Sequence, residues 1–170
     1  MEERFLMLMR HGKAARQFEE LTDYERPLTE RGVRDAVLIH ELIGEAGLEV
    51  DRVIASGARR ARLTGEIIAG LAGLPLSSLQ VEEQLYLSET ETLLTSLRQL
   101  PEGVRSPLLV AHNPGMQELV SLLAGSDIGR FPTSGTALLR FSGAAWDELA
   151  PSAVELLELI TPKEGRHGSP

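Results

Sequence analysis

The chain of 170 residues contains no cysteine. That removes disulfide frameworks, thiolate zinc sites, iron–sulfur clusters and cysteine nucleophiles together, and it fits a reducing cytoplasm. Positive charge is also short: 17 Lys and Arg stand against 25 Asp and Glu, a net charge of -8. Such a field repels phosphate polymers and anionic lipid, so neither nucleic acid nor a membrane is expected as a partner. An anionic ligand must instead be held by a local concentration of cations. Long apolar runs are missing too. Phe5-Leu6-Met7-Leu8-Met9 is halted at once by Arg10, and Ile67 to Leu76 falls well below the ~20 residues of a membrane helix. We therefore expect a soluble, unprocessed, cytoplasmic protein. What remains is ordinary globular composition, 42% apolar and 25% charged, with 16 Gly and 9 Pro. At roughly 150 residues per domain the length implies one domain, expected over residues 1–160. Residues 161–170 carry no apolar periodicity and are expected to form a tail.

Apolar runs at Phe5 to Met9, Val53 to Ala55, Leu108 to Ala111, Ala137 to Phe141 and Val154 to Ile160 predict strands. Helical spacing separates the early ones. Val33, Ala36, Val37, His40 and Ile43 recur at three and four residues after Thr29, a predicted N-cap. A second helix is predicted from Ala58 to Ala72, stopped by Gly73-Leu74-Pro75. Ser88-Glu89-Thr90-Glu91 reads as a capping box opening a third helix that runs to about Leu100. Asn113-Pro114 opens a fourth, ended by Gly125. Strands alternating with helices define an α/β domain with a largely parallel sheet and helices on both faces. Gly12 to Pro27 has no period and is read as a loop long enough to be functional.

Ligands of open α/β sheets bind beyond the carboxyl ends of the strands. Three predicted strand ends carry reactive groups there: Arg10-His11-Gly12, Ser56-Gly57 followed by Arg59 and Arg60, and His112-Asn113-Pro114. Right-handed crossovers would bring all three to one edge. Two imidazoles beside guanidiniums, whose planar forks match phosphate, imply a phosphoryl ligand. One imidazole attacks phosphorus while the other stabilises or protonates oxygen. Surrounding cations replace a metal in stabilising the transferring group. No magnesium or other cofactor is expected, and no Walker loop, dinucleotide fingerprint or His-Glu-x-x-His helix is present. Arg60 shares a helical stripe with Thr64, Ile67 and Ile68, whereas Arg62 lines up with Glu66, so Arg60 is the better inward candidate. Arg166-His167-Gly168 repeats the first tripeptide, but in the polar tail, and His40 reads as structural. Glu82 and Glu83 follow a short strand, where either could donate a proton or simply face solvent.

Leu8 to Ala14 with its Arg-His-Gly motif, Arg26-Pro27-Leu28-Thr29-Glu30-Arg31-Gly32, Ser56 with Arg60-Ala61 and Thr64, and Val110 to Pro114, in this order, resemble the histidine phosphatase superfamily. Within it the resemblance is to the small bacterial SixA-like phosphohistidine phosphatases. It implies a three-layer α/β/α sandwich, phosphoglycerate mutase-like, whose mostly parallel sheet has one antiparallel strand. By the same resemblance His11 is the nucleophile, Arg10 and Arg60 clamp the phosphoryl oxygens, and His112 completes the pocket. Gly12, Arg26 and Asn113 are expected to contact substrate. Larger relatives carry an acid after the third strand and segments roofing the pocket; here Gln84 falls at the acid's place, with Glu83 adjacent as the candidate proton donor. A departing imidazole already protonated on its other nitrogen needs no strong enzymic acid. The expectation is metal-independent dephosphorylation of a phosphohistidine-bearing protein through a phospho-His11 intermediate. The alternatives are a small-molecule phosphomonoesterase of the same superfamily, or a module that binds phosphoproteins without hydrolysing them.

Overall fold

The computed structural model describes residues 3–17 and 20–168. Its strands are β1 (Arg4–Arg10), β2 (Arg52–Ser56), β3 (Leu79–Glu82), β4 (Pro107–Ala111), β5 (Thr136–Phe141), β6 (Val154–Thr161) and β7 (Gly165–Gly168). The helices are α1 (Glu30–Glu45), α2 (Arg59–Leu71), α3 (Thr90–Arg98) and α4 (Gly115–Ala124). One sheet holds all seven strands in the order β3-β2-β4-β1-β5-β6-β7. β3, β2, β4 and β1 are parallel, while each pairing from β1–β5 outward is antiparallel. Two strands, β5 and β7, therefore run against the other five, where the resemblance implied one.

Successive strand residues point to opposite faces, and both faces are covered, which is why the central strands read as unbroken apolar runs. Leu6 and Leu8 of β1 pack with Leu93 and Leu97 of α3, Leu119 and Val120 of α4, and Trp146. Met7 and Met9 face the other way, onto Ile39 and Ile43 of α1 and Ala61 and Ile68 of α2. Three layers result. Thr29 caps α1 as expected, its Oγ1 accepting from the Gly32 amide at 3.0 Å, and Gly125 ends α4 at φ 73°.

Two expectations fail on tertiary grounds. Ser88 does not cap α3, which starts at Thr90 with Glu89 at the N-cap and no side-chain cap bond. Leu87 is left-handed at φ 49°, and the Ser88 carbonyl lies so close over Gly115 that a Cβ there would come within 2.4 Å of it. Docking against the start of α4 thus overrides the local signal; Ser88 Oγ is buried without a partner among the described residues, and Glu91 stands 4.0 Å from Arg98. The second concerns the expected tail. Gly165 turns at φ 72° and residues 165–168 pair with β6, Arg166 forking onto Glu158 at 2.6 and 2.8 Å. Its remaining residues 169–170 lie outside the described ones.

Candidate active site

Strand register alone assembles the centre. β1 and β4 are parallel neighbours with Arg10 opposite Ala111, so the next residue of each is a histidine. The His11 amide extends the ladder by donating to the Ala111 carbonyl at 3.1 Å. The two imidazole centroids stand 5.1 Å apart. β2 pairs with the other side of β4, Ala55 opposite Val110, which brings Ser56 to His112: Oγ and Nε2 are 2.8 Å apart. The chain leaves β1 toward one face and β4 toward the other, so the crevice opens between them.

The tautomer of His11 follows from its partner. Nδ1 lies 2.8 Å from the Gly12 carbonyl, which can only accept, so Nδ1 carries the hydrogen and Nε2 keeps its lone pair. Burial, opposed by the Gly12 hydrogen bond and reinforced by Arg60, Arg10 and Arg26, lowers the His11 pKa to about 4. It is therefore neutral at pH 7. The Gly12 peptide is itself held by its amide donating to Thr64 Oγ1 at 3.0 Å, and a Cβ at Gly12 would press on the Gly32 carbonyl and Leu28 at 3.1 Å. Burial, then His11 and Arg60, lowers the pKa of His112 to about 3. Ser56 Oγ also accepts from the Ala58 amide at 3.3 Å, so the hydroxyl joins the His112 ring to the start of α2. His112 Nδ1 is buried and without a partner among the described residues.

Arg60 is 2% exposed and points its Nε at His11 Nε2 from 3.4 Å. The inward stripe therefore selects Arg60, while Arg59 is exposed and Arg62 pairs with Glu66 at 3.0 Å. Arg10 donates to the Phe131 carbonyl at 3.3 Å; burial and then the charges of Arg130 and Arg60 lower its pKa, a sign of cations converging on one spot. Asn113 has both ends of its amide engaged, donating to the Phe131 carbonyl at 2.8 Å and accepting from the Gln117 amide at 3.2 Å. Both contacts hold the loop before β5 and the start of α4 in place. Arg26 is held by Asp23 and the Ala15 carbonyl, at 3.0 and 2.9 Å. Glu83 is exposed, accepts a hydrogen bond from the Tyr24 hydroxyl, and lies directly over Gly57, where a Cβ would come within 2.3 Å of its carboxylate.

Sequence reasoning missed Asp23, which ties the cations together. Its carboxylate accepts from Arg60 at 3.1 Å, from Arg26 at 3.0 Å and from the Tyr86 hydroxyl, and its backbone carbonyl takes a second Arg60 hydrogen at 2.7 Å. The Tyr86 hydrogen bond and Arg60 hold the Asp23 pKa down to about 2 against the effect of burial. Tyr86 also stands edge-on to the His112 ring at 5.5 Å. The one available signal was an acid in a long aperiodic loop just before Arg26.

Buried neutral imidazoles, one with an unprotonated Nε2 turned to Arg60, ringed by guanidiniums at the carboxyl ends of parallel strands define a phosphoryl-transfer class of α/β protein. The family model of the histidine phosphatase superfamily (branch 1) matches residues 6–92, just over half the chain. Phosphohistidine phosphatase SixA of Escherichia coli (strain K12) is 31% identical over 134 residues, 78% of this chain and 82% of that protein. The uncharacterized protein Rv1276c of Mycobacterium tuberculosis (strain ATCC 25618 / H37Rv) is 31% identical over 166 residues, 91% of this chain and all of that one. A solved structure of the protein histidine phosphatase SixA complexed with tungstate superposes with TM-score 0.76 at 29% identity, covering 94% of this chain and 97% of that one. The chain belongs to the histidine phosphatase superfamily. It is a phosphatase with the phosphoglycerate mutase-like fold, and among the described residues no helix is long and apolar enough to cross a membrane.

Proposed function

We propose that this protein removes the phosphoryl group from phosphohistidine on a protein, through a phosphohistidine intermediate on His11. The observation that carries this reading is the tautomer of His11, whose hydrogen is fixed on Nδ1 by the Gly12 carbonyl so that Nε2 presents its lone pair beside Arg60. Nε2 attacks phosphorus as the P–N bond of the substrate breaks. A substrate imidazole protonated on its other nitrogen leaves as neutral imidazole, with no proton required from the enzyme. Arg10 and Arg60 take the charge spread over the equatorial oxygens, and His112, with its hydrogen on the otherwise unpartnered Nδ1, donates to one of them. Water then attacks the phosphoenzyme, releasing phosphate and returning the Nδ1–H tautomer. The likeness to the tungstate complex of SixA supports a tetrahedral oxyanion in this crevice, and the resemblance to phosphohistidine phosphatases supports the substrate.

A second reading has one observation in its favour. The Glu83 carboxylate lies over Gly57, at the β2 end of the crevice, where it could protonate the alkoxide leaving from a small phosphomonoester. The discriminating experiment is turnover of a phosphohistidine peptide against a panel of sugar phosphates, with His11→Ala as control. We expect kcat/KM for phosphohistidine to exceed that for every ester, with both lost in His11→Ala. A preference for an ester that disappears in Glu83→Gln would establish the second reading. Tight phosphopeptide binding with no phosphate released would instead make the protein a binding module.

A further inference from the structure

Beside the catalytic crevice, and sharing Arg10 with it, lies a cleft of about 600 Å³ lined by Arg10, Lys13, Arg31, Arg130, Lys163 and Glu164, among others. Five cations face one acid there, on a chain of net charge -8. That local reversal of sign is opposite to the overall field. Most of the positive charge is unmatched. Glu164 is drawn to His167 at 3.4 Å and Arg31 has Asp35 at 3.5 Å, whereas Lys13, Arg130 and Lys163 make no ion pair among the described residues. The β6–β7 turn supplies Lys163, so the hairpin that the polar sequence concealed forms a wall of this cleft.

The character of the cations indicates what they take. A second phosphate on a small molecule calls for buried guanidinium forks in fixed geometry. Here Lys13, Arg31, Arg130 and Lys163 are all exposed and come from separate stretches of chain. Exposed, mobile ammonium and guanidinium groups spread along an open cleft suit several carboxylates on a macromolecular surface, with attraction acting at a distance. We propose that this cleft docks an acidic stretch of the substrate protein flanking its phosphohistidine. The proposal rests on the phosphohistidine reading above and names the kind of partner that reading requires.

The test uses the full chain and two phosphohistidine peptides differing only in a Glu-rich or Gln-rich flank, with free phosphohistidine as reference. At ~20 mM salt the Glu-rich peptide should be preferred roughly tenfold in kcat/KM, a preference that fades toward unity near ~200 mM as screening sets in. In the double variant Lys13→Glu, Lys163→Glu the preference should vanish while turnover of free phosphohistidine stays within about twofold of wild type. No preference, a salt-independent one, or one that survives the double variant would overturn the proposal. So would a small bisphosphate that competes better than the Glu-rich peptide. Should neither peptide nor free phosphohistidine be hydrolysed, the functional reading fails and docking is judged separately. A fluorescently labelled unphosphorylated Glu-rich peptide must then bind wild type in a salt-sensitive way and lose about tenfold in affinity in the double variant, or the cleft has no such role.

Discussion

Asp23 makes a paradox at the residue scale, since a carboxylate among the cations proposed to hold phosphate would compete with the ligand they attract. Its contacts resolve it. Arg60, Arg26 and Arg10 repel one another, and Asp23 bonds to Arg60 through its carboxylate and its carbonyl and holds Arg26 through Oδ1, fixing a guanidinium that in the proposed mechanism must meet an oxyanion in one orientation. Orientation counts in the transition state, whereas net charge acts already on the bound substrate. Asp23→Ala should therefore lower kcat by about 10–100-fold without raising KM, because losing a negative charge favours the dianion while Arg60 is released. Steady-state kinetics on a phosphohistidine peptide give the split. A raised KM at unchanged kcat would show that Asp23 serves binding alone. The sequence offered only its place in an aperiodic loop before Arg26, because its importance arises from contact with Tyr86 and Arg60, 63 and 37 positions away.

At the scale of elements, the legible features were those set by local physics. The apolar runs of β1, β2, β4, β5 and β6 needed only burial, the α1 cap needed only Thr29, and the α2 stripe alone distinguished Arg60 from Arg62. What was hidden depends on neighbours distant in sequence. β7 has no apolar residue because it is an edge strand held by Arg166 and Glu158, and the Ser88 signal yields to the packing of its carbonyl on Gly115. Tertiary packing likewise explains Gly32 in the first turn of α1, where a Cβ would lie 2.4 Å from the Lys13 carbonyl. Gly32→Ala should destabilise the protein by about 1–3 kcal/mol, despite alanine's better helix propensity, because backbone is the atom in the way. Urea unfolding would reveal it as a lower midpoint at unchanged slope; a gain in stability would show that the two segments can separate freely.

For the whole molecule, placing two neutral imidazoles in a cationic interior ties stability to pH. His11 and His112 hold folded pKa values of about 4 and 3, below the ~6.5 of an unfolded chain. Between those limits the unfolded state binds more protons, so stability present near pH 7 is lost as pH falls below 6.5, by at most about 2.7 kcal/mol per pH unit from the pair. The depressed Asp23 works in the same direction at lower pH, its contribution being lost between its ordinary value of 3.8 and about 2. Urea midpoints should fall from pH 7 to pH 5 in the wild type and fall less in His11→Asn; a flat profile would mean that the rings protonate without cost. The same neutrality is what the proposed nucleophile role of His11 requires, and trapping its phosphorylated form tests that role most directly. Rapid quenching of the enzyme with a phosphohistidine peptide, followed by mass spectrometry under alkaline conditions, should find phosphate on His11, attached through Nε2. Phosphate on Nδ1 or on His112, or turnover with no phosphoenzyme formed, would contradict the account.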